Sequence, residues 1–375
     1  MKINDEIKSL IILNSIPFLT PRKIKNLIDK FGTASNILNA SIEELTSVEN
    51  ITEIVANRIL NWKSKVNPDK EIEQILKNDI KIISYFDENY PSLLKNLEDP
   101  PMLLYVKGNL ESIYEFSLSV VGTRKPTSYG KIVTEHLIKE LSKYRFTIIS
   151  GLAYGIDKIA HECAIKNGLK TIAVLGNGLG IYYPLSNKKL QNDIPLKGGC
   201  LISEFSYFRR PDKLTFPQRN RIIAALSLAT IVIEADIKSG ALITAKFAAD
   251  MGKEVFAVPG SIFSNQSRGT NFLIKTGAKM VTCVEDIIEE IKEICYSLKK
   301  DFSEYNKGNT LTDESMISED ERKVLDIISS EPNGLHIDKI QYISNIEINK
   351  LLNILLRLQI LGKIKEIHNK TFIVI

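Results

Sequence analysis

With 375 residues, 44% of them apolar and 25% charged, the chain has the composition of a soluble globular protein and room for two or three domains. A net charge of +4 and a pI near 8.6 are too mild to imply nucleic acid by themselves, and no apolar run reaches the ~18 residues of a membrane span. Four scattered cysteines without a CxxC pair argue against disulfides and zinc, and the amino terminus, broken by Asp5, Glu6 and Lys8, is no signal peptide, so a reducing cytoplasm is the expected compartment.

Residues 1–75 read as helical. "PRKIKNLIDKFG" has a proline start, apolar residues at helical spacing and a glycine stop. "SIEELTSV" places Glu44 three residues after Ser41, a capping-box pattern, and "NITEIVANRILNW" continues in the same style. Paired short helices of this kind resemble helix-hairpin-helix or SAM-like modules, serving either DNA or a protein partner.

From residue 76 to 296 a larger domain is predicted. It opens with the extended pieces "IKIISYF" and "PMLLYVKG", which suit a sheet extension or cover. Seven strand-like runs follow, "SLSVVGT", "FTIISG", "KTIAVLG", "CLISE", "TIVIEA", "KEVFAVPG" and "KMVTCV". Helical stretches such as "YGKIVTEHLIKELSKY", "GIDKIAHECAIKNG" and "GALITAKFAADMG" lie between most of them. The strands lack polar alternation, as expected of strands buried on both faces. The fold class is therefore α/β, with an extended Rossmann-like, doubly wound, mostly parallel sheet.

Residues 297–317 read as a polar linker, and 318–375 regain pattern. Helices are predicted over Glu319–Ser329, near His336–Ile343 and over Glu347–Leu358, followed by the hairpin-like "LGKIKEIHNKTFIVI". Three helices and a hairpin make a winged helix. Its third helix carries only Lys350 and Arg357 as basic residues, which favours a protein contact over base reading.

In a doubly wound sheet, ligands collect outside the carboxyl ends of the strands. There the sequence sets "GTRKPTSYG", "SGLAYGID", "GNGLGIYYPLSN", "EADIKSGALITA" and "PGSIFSNQSRGTN". Glycine permits close backbone approach and helix N–H groups hold phosphate oxygens. With Arg124, Arg219, Arg221, Lys246 and Arg268 nearby, these loops read as a phosphate-binding rim. "VLGNGLG" lacks the spacing and the helix start of a dinucleotide fingerprint, and no GxxxxGK[ST] is present, so no cofactor is expected. Signatures of zinc deaminases, zinc proteases and serine hydrolases are absent. A phosphoribohydrolase-like nucleotide-processing enzyme would need Glu204 or Asp157 as acid or base, yet it lacks its PGGxGTxxE loop here.

"FPQRNRIIAALS" raises a sharper question. Pro217 suits the first turn of a helix, but Arg219 and Arg221 then flank Asn220 where the macrodipole favours acids. A bound phosphate would reconcile this, with the N–H groups, Asn220 and both guanidiniums converging on one anion and Phe216 beside it for a base.

The ordered motifs "GTR…SYG", "SGLAYGID", "AH", "YPLSN", "LISE", "FPQRNRIIAALS", "SGALITA", "VFAVPG" and "GTNFLIKTGA" resemble those of the DprA/Smf family of DNA-processing proteins, over Glu98 to Ile288. The resemblance implies a non-enzymatic, cytoplasmic protein that binds single-stranded DNA and loads a RecA-type recombinase in natural transformation, dimerising through the Rossmann-like domain. Carried over by motif, the DNA-binding residues are Gly122, Arg124, Ser150, Gly151, Asn187, Phe216, Arg219, Asn220, Arg221, Ser239 and Gly240, with Lys246 a further candidate. Where family members carry a proline- and glycine-rich segment, this chain has "FSYFRRPDKLT". Arg209 and Arg210 there can add phosphate contacts, while Tyr207 or Phe208 either stacks a base or packs. Ala241 stands where the family commonly has serine. A winged-helix transcription regulator is the third reading.

Overall fold

The apolar runs after Ile80 become nine strands of one sheet in the computed structural model. It describes residues 3–297 apart from 115, and 319–374 apart from 332–333, 361–362 and 367–369. The strands are β1 (Ile80–Ser84), β2 (Leu103–Gly108), β3 (Ser117–Val121), β4 (Thr147–Ser150), β5 (Thr171–Val174), β6 (Cys200–Ser203), β7 (Ala229–Val232), β8 (Glu254–Ala257) and β9 (Lys279–Met280). Their order is β1-β2-β6-β5-β4-β3-β7-β8-β9. Neighbours from β6 to β9 run parallel, and the two early strands extend the sheet antiparallel, with Ile80 opposite Lys107 and Gly108 opposite Cys200.

Alternate strand residues supply opposite faces. Ile172 and Val174 of β5 pack under Ile222, Ala225 and Leu226 of one helix and Ala241, Ala245 and Ala248 of another. On the other face Leu118, Val120, Ile148 and Ile231 meet Leu137, Ile138, Ala160 and Ile287. The β1–β6 end of that face is covered by amino-terminal helices, whose Leu10, Ile24, Ile37, Leu45, Ile59 and Ile75 share a core with Ile82, Leu103 and Tyr105.

Those helices are α1 (Asp5–Asn14), α2 (Pro21–Phe31), α3 (Ala34–Asn39), α4 (Ile42–Thr46), α5 (Glu53–Leu60) and α6 (Pro68–Lys77). The Ser41–Glu44 capping box forms as its spacing suggests. Less visible in the sequence is a repeated turn. Ser15–Thr20 joins α1 to α2 and Ser47–Thr52 joins α4 to α5, each six residues long. Both begin with serine, bury an apolar residue second and fifth, and end in a threonine that caps the next helix. The fourth residue is left-handed in each, Phe18 at φ 66° and Asn50 at φ 65°. The Arg58 guanidinium of α5 lies 4.6 Å over the Phe18 ring and donates to the Pro17 carbonyl at 3.1 Å, tying α5 to the first turn.

After the first extended pieces come α7 (Ser92–Lys95), α8 (Ser128–Leu141), α9 (Ile156–Lys166), α10 (Lys188–Leu196), α11 (Thr215–Leu226), α12 (Gly240–Asp250), α13 (Arg268–Lys275) and α14 (Glu285–Ser297). The chain divides into two compact units, residues 1–306 and 307–375. The expected linker lies, but for residue 297, outside the described residues.

The second unit holds α15 (Glu319–Ser329), α16 (Ile337–Ser344) and α17 (Ile348–Ile360). Its strands β10 (Leu335–His336), β11 (Ile364–Glu366) and β12 (Thr371–Val374) form a sheet in the order β10-β12-β11. The short β10 was not anticipated; His336 ends it and then caps α16, its ring accepting from the Asp338 N–H. Val324, Ile328, Ile340, Leu351, Leu355, Leu358 and Phe372 make its core. Lys350 of α17 forms an ion pair with Asp320 at 2.5 Å.

Among the described residues no helix is long and apolar enough to cross a membrane.

Candidate nucleic-acid interface

Strand order reverses at β3, which has β4 on one side and β7 on the other. Loops leaving the carboxyl ends of these strands diverge to opposite faces and leave a crevice between them. It is an open basin of about 740 Å³. Gly122–Lys125 after β3, Ala153 after β4, Asp236–Gly240 after β7 and the first turns of α11 form its walls.

The arginine pair of α11 resolves differently from the sequence expectation. The helix starts at Thr215, two residues before Pro217, so Arg219 and Arg221 lie beyond the first turn. The acid the macrodipole favours is present: Asp212 accepts from the Leu214 and Thr215 N–H groups at 2.8 and 3.0 Å. The two guanidiniums diverge. Arg219 is buried against the sheet, donating to the Gly151 carbonyl at 2.5 Å and to the Val174 carbonyl, while its Nε reaches Asn220 Oδ1 at 3.1 Å. Burial lowers its pKa to about 10, with the Asp157 carboxylate opposing that shift, so it stays cationic at neutral pH. Gly151 is required beneath it, because a Cβ there would fall 2.5 Å from Arg219 Nη1.

Arg221 turns away from the basin and pairs with Glu204 at 2.5 Å, both side chains buried. Convergence of both arginines on one anion is therefore not what this helix offers. Burial drives the Glu204 carboxyl up to about 7, and Arg221 opposes the shift. This pairing also removes Glu204 as an acid or base for anything held in the basin, whereas Asp157 does line it. Asp157 is itself committed, accepting from the Gly151 N–H at 3.1 Å, and burial raises its pKa.

Seven of the twelve sequence-derived candidates line the basin: Gly122, Arg124, Phe216, Arg219, Asn220, Ser239 and Gly240. Gly151 lines a small adjoining recess with Arg124, Gly176, Tyr183 and Phe216. The other four stand outside. Ser150 is buried and donates to the Val120 carbonyl at 2.7 Å. Asn187 is buried and pins the loop after β4, donating to the Leu152 and Ala153 carbonyls at 3.0 and 3.2 Å. Arg221 is held by Glu204, and Lys246 projects from α12 to solvent outside the lining.

Phe216 is half-buried, with the Tyr183 ring 5.5 Å away at a 36° tilt and the Arg124 guanidinium 5.3 Å over its face. Gly176 makes room for this ring, since a Cβ there would lie 2.8 Å from Phe216 Cδ1. Exposed Lys125, Lys213 and Lys238 add cations to the rim; neither they nor Tyr183 stand among the sequence-derived candidates. Tyr183 lies in "GNGLGIYYPLSN", where nothing in the local spacing points to its contact with Phe216. Ser239 caps α12, its hydroxyl accepting from the Ala241 N–H at 3.3 Å, and a Cβ on Gly240 would meet open space.

The aromatics of "FSYFRRPDKLT" do not line the basin: Phe208 is exposed elsewhere and Tyr207 packs. Tyr207 covers Gly180 and gives its N–H to Glu71 at 2.8 Å, and its hydroxyl accepts from Asn78 at 3.2 Å. Arg209 pairs with Asp212. His161 is a core residue: the Thr171 hydroxyl donates to the Ile148 carbonyl at 2.7 Å, so His161 Nδ1 is the donor in its own 2.7 Å bond to that hydroxyl.

The family model described as DNA recombination-mediator protein A matches residues 81–292. DNA processing protein DprA of Bacillus subtilis (strain 168) is 43% identical over 215 residues, which are 57% of this chain and 72% of that protein. Among solved structures, the X-ray structure of DprA from Streptococcus pneumoniae superimposes with a TM-score of 0.65 at 34% identity, covering 77% of this chain and 99% of that one. DNA processing protein A from Helicobacter pylori, studied for its single-stranded DNA binding mode, gives a TM-score of 0.52 at 33% identity over 57% of this chain and 96% of its own.

Proposed function

The chain belongs to the DprA/Smf family, whose model is that of DNA recombination-mediator protein A, and from this premise we propose that it binds single-stranded DNA in the basin at the strand-order reversal. The observation that carries this reading is the arrangement around Phe216: two aromatic rings open to the basin, with Arg124, Lys125, Lys213 and Lys238 set about them. Single strands are held by such combinations, cations neutralising phosphates and rings stacking bases without reading sequence. Arg219 and Asn220 form the floor, and Gly122, Ser239 and Gly240 leave the backbone open to approach.

The bound strand would be handed to a RecA-type recombinase during recombination, by binding alone and without catalysis. A homodimer built through the Rossmann-like unit is part of this proposal. The second unit, three helices with a short sheet, has the make-up of a winged helix, and the pairing of Lys350 with Asp320 supports a protein-contact role over base reading. The six amino-terminal helices fit the helix-hairpin-helix or SAM-like assignment.

The test is a salt titration of single-strand affinity. Each phosphate neutralised contributes ~0.7 to the slope of log affinity against log salt. Arg124→Ala and Lys238→Ala should each flatten the slope by about that amount; unchanged slopes in both would refute the basin. Incubation with nucleoside monophosphates should release no base.

A further inference from the structure

A second groove adjoins the basin across a narrow ridge. It has a volume of about 670 Å³ and shares Arg124 and Lys125 with the basin. Its walls come from α8, through Lys131 and Glu135, and from α9, through Lys158, Ile159 and Glu162, with Pro126, Tyr154 and Gly155 at the end nearer the basin. The ridge is a close packing of two backbone loops. Gly155, at φ +77°, lets the loop after β4 press against the loop after β3, where a Cβ would fall 2.3 Å from the Thr123 oxygen and 2.8 Å from Arg124 Cα. The Ile156 N–H then donates to the Thr123 carbonyl at 3.1 Å.

Two features mark this groove as a path for a polyanion with flat bases. Tyr154 is 47% exposed and also lines the recess beneath Arg124, Tyr183 and Phe216, so an aromatic surface continues from the basin into the groove. Four cations, Arg124, Lys125, Lys131 and Lys158, face two carboxylates, and Glu162 is drawn aside by Lys158 at 3.6 Å. A buried small-molecule site would need enclosure; this cleft is open to solvent.

We infer that a single strand leaving the basin crosses the Arg124 ridge and continues between α8 and α9, with Tyr154 stacking a base and Lys131 and Lys158 neutralising phosphates. This rests on the basin reading above, and a length series separates the two. Oligothymidylates of increasing length should bind the full chain more tightly until basin and groove are both filled. Lys131→Ala with Lys158→Ala should leave the shortest binding oligonucleotides unaffected. For long ones it should flatten the salt slope by ~1.4, two phosphates' worth. Tyr154→Ala should weaken long oligonucleotides roughly tenfold, the scale of one lost stack, and Tyr154→Phe should restore them. If these variants keep the wild-type length dependence while Lys238→Ala weakens every length, the groove is refuted and the basin stands. If Lys238→Ala and Lys213→Ala leave short oligonucleotides unaffected, the basin reading fails first. All five groove and rim positions, Lys131, Tyr154, Lys158, Lys213 and Lys238, are surface side chains, so unchanged thermal unfolding accompanies the expected result.

Discussion

Removing the Arg219 guanidinium would leave the Gly151 and Val174 carbonyls without their donor and Asp157 without the cation that offsets its burial. Arg219→Ala should therefore cost about 3 kcal/mol or more in urea unfolding, and its loss of DNA binding would report the loss of the site. Arg124 is exposed, and Arg124→Ala should change stability by less than ~0.5 kcal/mol while weakening binding, which makes it the cleaner probe. Arg221→Ala strands a buried Glu204 carboxylate. It should destabilise by ~3 kcal/mol, with Glu204→Gln added on top recovering part of the loss in a double-mutant cycle. His161 and Glu204 contribute to the pH dependence with opposite signs. Burial lowers the His161 pKa from 6.5 to about 3, so between these values the unfolded chain holds a proton that the folded one does not. The His161 contribution to stability therefore falls as pH drops below about 6.5, while that of Glu204, whose folded carboxyl is raised to about 7, grows as pH falls through that value. The stability lost in His161→Gln relative to wild type should be smaller at pH 5.5 than at pH 7.5, read from denaturation midpoints.

At the scale of elements, one helix serves both faces of the site. The amino-terminal half of α11 gives the basin Phe216, Pro217 and Asn220, while Ile222, Ile223 and Leu226 anchor it to the sheet. Its far end is held by Lys253, whose ammonium donates to the Ala224, Ala225 and Ser227 carbonyls, the favoured place for a cation at a helix carboxyl terminus. The loop after β4 depends on glycine at position 155. Gly155→Ala would place a Cβ among the backbone atoms of Thr123 and Arg124. It should lower stability by ~1–3 kcal/mol and weaken single-strand affinity together, since the ridge cannot keep its position. Ser239→Ala removes only a cap and should cost ~1 kcal/mol.

For the whole molecule, the first unit contains the basin, the ridge and the groove, and the second has its own core. A chain ending at residue 306 should thus keep single-strand affinity within a few fold in the same salt series. Any loss of recombinase loading in that truncation would assign the second unit to the protein partner. The sheet's antiparallel edge and the amino-terminal helices share one apolar cluster. Deleting the helices would expose that face, so amino-terminal truncations should aggregate where carboxyl-terminal ones stay folded.

Much of this was legible in the sequence, because strands buried on both faces must be continuous apolar runs and the loops between them must hold the polar residues. Those constraints account for the α/β class, the seven central strands, the helices of the second unit to within a few residues and the polar loops at the carboxyl ends of the strands. The direction of a side chain was not legible. Arg219 and Arg221 are two residues apart, about 200° around a helix, so which one faces the basin depends on where the helix begins and what packs beneath it. Asp212 and Glu204 decide that, and both lie outside the motif. Strand order was equally hidden, since an alternating pattern fits several windings. Only the placement of β7 beside β3 brings Arg124, Phe216 and Lys238 to one crevice, because those residues are up to 114 positions apart and no local periodicity relates them.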